Sequence, residues 1–446
     1  MWTKGISFLA AFRVDFERNG QIQAYRRTPQ IKLPHRKPSR AIINLYGLIC
    51  FISFFYLFFI ISIYDIIFAV LPMDTVEKLK ILSADSQYDL ACACGTTKTG
   101  HRKRGLDGKW LYPVALPGGG QTILLKTLLS NACSGGCKYC PLRAKTDIRR
   151  CTLAPDEVAR VFMQYYERRM AFGLFLSSGI MGSADATMDR INAAARILRY
   201  GYGFKGYIHL KVIPGASDAA IEDSLSLATA VSLNIETPGK KHSDRISAGK
   251  DYLTDIIRPI RLMGGLTARG RRYQRVKCTT QFIVGASDET DYEIVGSMYS
   301  LYGEMNFKRV YFSAYQRGLG EPDIPGEMKP FAPRKNDALV REHRLYQADF
   351  LCRKYGFKKD DILFGPDGNL SMDKDPKEVW ADNHPEFFPV RLNTATKEAL
   401  LKVPGLGPDT AQKIIEARGF GKIRRIEELG VKGKRLARIK AYAVPE

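Results

Sequence analysis

Between Gln121 and about Ala314 the chain alternates short apolar runs with longer stretches of helical spacing. Six runs carry strand character: 122–130 (TILLKTLLS), 172–178 (FGLFLSS), 206–214 (GYIHLKVIP), 230–236 (AVSLNIE), 276–285 (VKCTTQFIVG) and 309–314 (RVYFSA). β-branched and aromatic side chains dominate them, and turn residues separate them. The intervening pattern predicts helices over 156–170, opened by Pro155, over 184–200, over SDAAIEDSLSLA with Ser217 as its cap, through about 247–265, and over DETDYEIVGSMYSLY. Strand and helix repeating six times predicts an α/β fold. Its sheet is parallel with right-handed crossovers, either doubly wound or curled toward a (β/α)6 partial barrel.

Beyond residue 314 the pattern changes. Residues 315–385 are mixed, with a Gly- and Pro-rich stretch (GLGEPDIPGEMKPFAPRK) and a helix through HRLYQADFLCRKYGF. A compact helical module begins near Arg391. The expected division is an N-terminal extension over 1–72, a lead-in over 73–120, the strand–helix core over 121–350, a linker and accessory segment over 351–390, and a small all-α domain over 391–446. No solenoid repeat or low-complexity tract interrupts it.

The extension holds the longest apolar run, AIINLYGLICFISFFYLFFIISIY at 41–64, without one charge. About 20 apolar residues cross a bilayer as a helix. The run lies too far in, and is too long, for a signal peptide. Arg26, Arg27, Lys32, Arg36, Lys37 and Arg40 precede it, and would stay in the cytoplasm. One crossing would then put the rest of the chain outside. Two readings stay open: a membrane anchor, or a translation start set upstream of the working chain, which would open at Met73 (MDTVEKLKILSADSQYDLA).

Composition sharpens the picture in two places. The formal net charge of +22 over 446 residues argues for a polyanionic partner, a nucleic acid or an anionic membrane surface. The nine cysteines are too few and too unevenly placed for a disulfide scaffold. Three of them, Cys133, Cys137 and Cys140, fall together in NACSGGCKYC, directly after the first strand. Clustering of this kind reads as ligation of a metal or cluster, which calls for a reducing compartment. A cytoplasmic location is therefore expected, and the upstream-start reading of the extension is preferred.

CxxxCxxC offers three thiolates, enough for three irons of a four-iron cluster, and leaves the fourth open for a ligand. Gly135 and Gly136 allow the backbone to wrap closely, and Tyr139 stands before the last cysteine. A zinc site would ordinarily show paired CxxC knuckles with four ligands, and no second knuckle lies nearby. This loop, after the first strand of a six-fold repeat, resembles the radical S-adenosylmethionine (SAM) superfamily. The resemblance extends to Ser177-Ser178-Gly179 at the end of the second strand, where the family binds the SAM amino group, although the commoner Gly-Gly-Glu form is absent. It extends to Asn234 and Glu236 at the end of the fourth strand. It also extends to Gly285 and Glu289 in a GxIxGxxE-like stretch near the adenine, with Gln281 in place of the first glycine. The resemblance implies a [4Fe-4S] cluster on the three cysteines, SAM as cofactor, and an electron donor such as flavodoxin or ferredoxin. It implies reductive cleavage of SAM to a 5′-deoxyadenosyl radical, which abstracts hydrogen from a substrate within a shielded lumen.

Cys92, Cys94 and Cys151 fall one short of a second four-ligand set and read as separate buried thiols. Cys50 lies in the apolar run. His209, inside a strand, reads as a core histidine with its partners satisfied. At the C-terminus, a helix from Asn393 and Thr394 to Val403 precedes the turn Pro404-Gly405-Leu406-Gly407 and a second helix from Pro408 to Arg418. A degenerate copy follows around Gly430-Val431-Lys432-Gly433, then Lys434 and Arg435. The pattern resembles the helix-hairpin-helix family. That resemblance implies phosphate binding through backbone N–H groups at the hairpin, with Gly405, Gly407, Lys432, Gly433, Lys434 and Arg435 as candidate DNA contacts. A protein-docking helical pair is the alternative. The layout over about 75–441 resembles the radical SAM proteins associated with DNA modification or repair that carry this same terminal module. An RNA-modifying radical SAM enzyme, and a DNA-binding protein with a structural or redox cluster, are the rivals.

Overall fold

The structure, a computed structural model, describes residues 73–88, 111–115, 120–328 and 337–446. The apolar run at 41–64 and the pair Cys92 and Cys94 lie outside the described residues. Among the described residues no helix is long and apolar enough to cross a membrane.

One seven-stranded sheet organises the fold. Its strands are β1 (Leu111–Ala115), β2 (Gln121–Leu128), β3 (Gly173–Ser177), β4 (Tyr207–Lys211), β5 (Ala230–Ser232), β6 (Lys277–Val284) and β7 (Arg309–Ala314). Their order in space is their order in the chain. β2 to β7 pair in parallel, with Leu125 opposite Leu174, Phe175 opposite His209 and Phe282 opposite Phe312. β1 adds to β2 in the antiparallel sense. Between the parallel strands run α2 (Pro155–Glu167), α3 (Ala184–Arg196), α4 (Asp218–Leu227), α5 (Lys240–Ile246), α6 (Arg258–Leu266) and α7 (Asp291–Gly303). α1 (Met73–Asp85) precedes the sheet and packs on β2.

The six expected strands all form. Ser217 caps α4, accepting from the Ala220 N–H at 3.3 Å, and a Thr290–Glu293 capping box opens α7. The stretch at 247–265 departs from its expected helix. Ser247 and Ala248 pair with Cys137 and Gly136 as a short antiparallel bridge. A π-helical turn follows at Tyr252–Ile257, and only then does α6 begin. A tertiary pairing across the fold has overridden a local helical preference.

Strand alternation separates two faces. On β7, Val310, Phe312 and Ala314 are buried among the helices, whereas Arg309, Tyr311 and Ser313 are half-buried on the other side. Tyr311 and Tyr112, from opposite edge strands, line one cavity. The sheet is therefore curled into an open partial barrel around a lumen. β7 is an exposed edge by topology, and side chains close it. Val310 N–H donates to the Tyr302 hydroxyl at 2.9 Å, Phe312 N–H to the Tyr346 hydroxyl at 3.0 Å, and Ala314 N–H to Glu342 Oε2 at 2.6 Å. Tyr346 and Glu342 come from α8 (Asp337–Tyr355), so this helix replaces a missing strand as hydrogen-bond acceptor.

Residues 351–390 join the main core through Phe357, Ile362, Leu370 and Trp380. They include α9 (Pro376–Asp382). The terminal module follows with α10 (Lys397–Lys402), α11 (Pro408–Phe420) and α12 (Gly433–Tyr442) around its own core of Leu400, Val403, Ile414 and Ile439. Two details differ from the all-α expectation. Val390–Arg391 and Ala443–Val444 pair as a short parallel ladder, and the first helix starts at Lys397 with Thr396 as its cap rather than at Asn393. Asn393 instead uses its side chain to hold the backbone of Ile423.

Candidate functional site

The chain leaves β2 at Leu128 and turns at once into the cysteine loop. Asn131 pins its start: its Oδ1 accepts from the Cys151 N–H at 2.7 Å, and its Nδ2 donates to Asp85 Oδ2 at 2.6 Å and the Arg149 carbonyl at 2.8 Å. Arg150 clamps the loop from beneath, donating to the carbonyls of Asn131, Leu142, Arg143 and Thr146 at 2.5–2.9 Å. Farther along, Ser134 N–H reaches the Ile180 carbonyl at 2.9 Å and Lys138 N–H the Ile246 carbonyl at 2.8 Å. The loop is thereby fixed between the end of β3 and the bridge after α5.

Close packing explains the glycines. A Cβ on Gly135 would lie 3.2 Å from Cys133 Sγ, and one on Gly179 only 2.5 Å from the Ala132 carbonyl oxygen. Gly179 is thus what lets the end of β3 press against the cysteine loop.

Cys133, Cys137 and Cys140 border a cavity of ≈ 140 Å³ at the C-terminal ends of the strands. Ser177, Ser178, Gly179, Asn234, Glu236 and Tyr139 line the same cavity. Backbone N–H groups of Gly135 and Ile180 point at Cys133 Sγ at 3.3 and 3.4 Å, and that of Leu142 at Cys140 Sγ at 3.4 Å. Lys250 Nζ lies 2.9 Å from Cys137 Sγ. Burial, and then the neighbouring Cys137, push Cys140 up to about 12. Burial works to lower the Lys250 ammonium, but Cys137, with Glu236 and Cys133, more than offsets it and leaves the value raised. Burial and the Glu236 carboxylate drive the Tyr139 phenol well above its usual range. This corner thus crowds groups that become anionic beside two cations, Lys250 and Lys211.

Glu236 has a left-handed backbone (φ 64°), which costs a non-glycine residue about 1–2 kcal/mol. β6 enforces it from both sides: Glu236 N–H donates to the Gln281 carbonyl at 3.0 Å, and Glu236 accepts from Ile283 N–H at 2.9 Å. Among the described residues no group of three His, Cys, Asp or Glu side chains closes on a point as a single metal ion requires. A cluster of several irons asks its thiolates to stand apart around it, and three thiols on the wall of one cavity, with backbone donors to two of their sulfurs, fit that demand.

Below this cavity, the lumen narrows into a second space of ≈ 90 Å³ that shares Asn234 and Gln281 with the first. Its polar groups include Lys126, held over the rings of Phe175 (5.1 Å) and Tyr112 (5.5 Å). His209 is satisfied there as expected, with Nε2 2.9 Å from Ser232 Oγ and Nδ1 3.3 Å from the Tyr207 hydroxyl.

The structure therefore brings together the residues expected around the cluster except Gly285 and Glu289. Gly285 stands apart: it turns the chain after β6 at φ 89°, and its N–H donates to Glu289 Oε1 at 2.6 Å. Glu289 in turn faces Arg341 at 3.5 Å. Lys250, Lys211 and Arg150 were not singled out from the sequence; no local motif marks them, and only the fold brings them to the loop.

In the terminal module, Gly405 (φ 87°) and Gly407 form the first hairpin. A Cβ on Gly405 would lie 2.9 Å from Ile439. Arg435 is committed to this turn, donating from Nε to the Gly405 carbonyl at 2.7 Å and from Nη2 to Thr410 Oγ1 at 2.6 Å. Lys377 of α9 donates to the Leu406 carbonyl at 2.6 Å. Gly433 takes a left-handed backbone (φ 60°) at the second hairpin, and Lys432 and Lys434 beside it are exposed.

A helix-hairpin-helix motif model matches residues 387–439. No curated protein matches the sequence. Among solved structures, the chain is similar to methylornithine synthase at 13% identity, covering 64% of this chain and 76% of that one with a TM-score of 0.39. It is similar to the FeFe-hydrogenase maturase HydG from Carboxydothermus hydrogenoformans at 12% identity, covering 66% and 76% with a TM-score of 0.40. It is also similar to the cobalamin-dependent S-adenosylmethionine radical enzyme OxsB at 12% identity, covering 71% and 58% with a TM-score of 0.33.

Proposed function

We propose that this chain is a radical SAM enzyme that modifies or repairs nucleic acid, with DNA as its polyanion. One observation carries the reading: three cysteines in CxxxCxxC spacing share a cavity with the ends of β3 and β5, the positions the sequence resemblance assigns to SAM. Cys133, Cys137 and Cys140 would hold a [4Fe-4S] cluster. When bound, that cluster supplies, from an external donor such as flavodoxin or ferredoxin, the electron for reductive cleavage of SAM.

The protein's own part is positioning and exclusion. Lys250 places a cation beside Cys137, suited both to thiolate charge and to a carboxylate of the cofactor. Ser177, Ser178 and the Gly179 carbonyl offer neutral hydroxyls and an acceptor in place of an acidic side chain, the Gly179 N–H being spent on the Ser130 carbonyl. Asn234 is buried and Glu236 is locked by β6, so both present fixed polar atoms. A radical formed there needs a lumen shielded from water, and the curled sheet with its helices would supply the walls. The narrow space beneath, with Lys126, His209 and Gln281, is where a group to be acted upon would enter. The helix-hairpin-helix match and the charge of +22 support a nucleic-acid substrate.

The test is anaerobic. The full chain is reconstituted with iron and sulfide, reduced, given SAM, and assayed for 5′-deoxyadenosine with and without DNA. Formation that DNA raises, and that vanishes when Cys133, Cys137 and Cys140 become Ala, is expected. A bound cluster with no cleavage of SAM under any condition overturns the enzyme reading and leaves an iron–sulfur protein that binds DNA.

A further inference from the structure

Phe420, the last residue of α11, is 97% exposed, more than any other large apolar side chain among the described residues. Gly419 and Gly421 flank it, and a Cβ at either would meet nothing within 4 Å. The ring therefore stands clear of its neighbours. It is not on a frayed end. Two residues before it, Arg418 donates to the carbonyls of Leu392 and Ala395 at 3.3 and 2.6 Å. Three residues after it, Ile423 is buried in the module's core, and the Asn393 side chain holds its N–H and its carbonyl at 2.9 Å each. The corner is anchored on both sides and presents the ring outward.

The charge around it points to the occupant. The basic residues of α12 are largely committed within the protein: Arg435 to the first hairpin, Arg438 to Asp375 and Glu378, and Lys440 to Glu427. Lys422, Arg424, Lys432 and Lys434 are exposed, and among the described residues none forms an ion pair. Lys422 and Arg424 follow the ring within four residues, and an apolar ring beside uncommitted cations matches a chain that alternates flat bases with phosphates. Phosphate contacts alone would need no ring.

We propose that Phe420 is a stacking platform for an unpaired nucleobase, with Lys422 and Arg424 beside it for the neighbouring phosphates and the Lys432–Lys434 hairpin, next to the first hairpin at the far end of α11, taking phosphates farther along the strand. Duplex stacking covers both faces of every internal base, so the partner is a single-stranded stretch or a locally opened one. Stacking of this kind tolerates any base. The proposal rests on the nucleic-acid part of the reading above, and is independent of the cluster and SAM.

The experiment is fluorescence anisotropy with the full chain, using a labelled single-stranded oligonucleotide and the blunt duplex of the same sequence. Phe420→Ala is expected to weaken single-strand binding by roughly 5- to 150-fold, with duplex affinity and salt dependence unchanged. Lys432→Gln with Lys434→Gln is expected to weaken both, and to make the single-strand slope of log affinity against log salt about 1.4 shallower. Because the ring packs on nothing, Phe420→Ala should melt with the wild type. Unchanged single-strand affinity in Phe420→Ala overturns the platform. A wild-type chain that binds neither probe removes the nucleic-acid reading itself. A wild-type dimer that Phe420→Ala converts to a monomer in sedimentation assigns the ring to a second copy, and also overturns the platform.

Discussion

Lys377 is a buried amine in an unusual setting. Its Nζ donates to the Leu406 carbonyl at 2.6 Å and sits 4.6 Å from the centre of the Tyr355 ring. Burial pushes its pKa down to about 7. A base depressed in the folded state adds stability that is complete above its unfolded pKa and fades as pH falls through the folded value. Between pH 7 and 10 the unfolded chain therefore holds the extra proton, and folding stability should rise with pH by at most about 1.4 kcal/mol per unit. Lys377→Met cannot take up that proton. Denaturant melts across this range should show the wild type gaining on the variant as pH rises; parallel curves would refute the argument. Residues of this sort were not legible in the sequence. The grouping of the three cysteines on one cavity wall was, because their spacing keeps them on one loop. Lys250 was not, because 113 residues separate it from the sulfur it faces. Gly285, expected near the adenine, lies outside the lining of the cysteine cavity and turns the chain after β6.

The element that most needs its partner is β7. Its outward N–H groups end on oxygens of Tyr302, Tyr346 and Glu342. The Tyr346 hydroxyl also donates to the Phe312 carbonyl at 3.0 Å, so one group serves both polar atoms of that residue. Tyr346→Phe strands both in a dry setting, at a cost of about 1–3 kcal/mol. Chemical denaturation is expected to show that loss, and a loss below about 0.5 kcal/mol would mean that water reaches the edge. The six parallel strands were legible because buried strands read as apolar runs. β1 was missed: it is short, it carries Pro113, and a proline in a strand suits only an edge. The stretch at 247–265 was misread because nothing local announces that Ser247 and Ala248 will pair with the cysteine loop.

At the scale of the molecule, the barrel and the terminal module share a boundary. Tyr355, Phe388 and Tyr442 pack against both apolar cores. Lys402 of the module pairs with Asp361 at 3.0 Å and lies over the rings of Phe357 and Trp380. The two should unfold together. Hydrogen exchange in denaturant is expected to release the amides of α11 and of β3 at one concentration; early release of α11 alone would show two independent bodies. The helical hairpins were legible in the shift of pattern near residue 391, but their union with the barrel was not, because it depends on single side chains scattered through 351–390. The neighbour-by-neighbour strand order has one more consequence, in time rather than in space. A chain emerging from the ribosome can add each strand to the one before it, so the cysteine loop forms early. The residues that close over it, Ser247, Ala248 and Lys250, emerge later, with Lys250 113 residues after Cys137. At about 5–20 residues per second that is a delay of roughly 6–23 s. During synthesis the thiols pass through an interval in which the residues that later cover them are not yet made, and under the proposed function a cluster would find them most open then, as would oxygen.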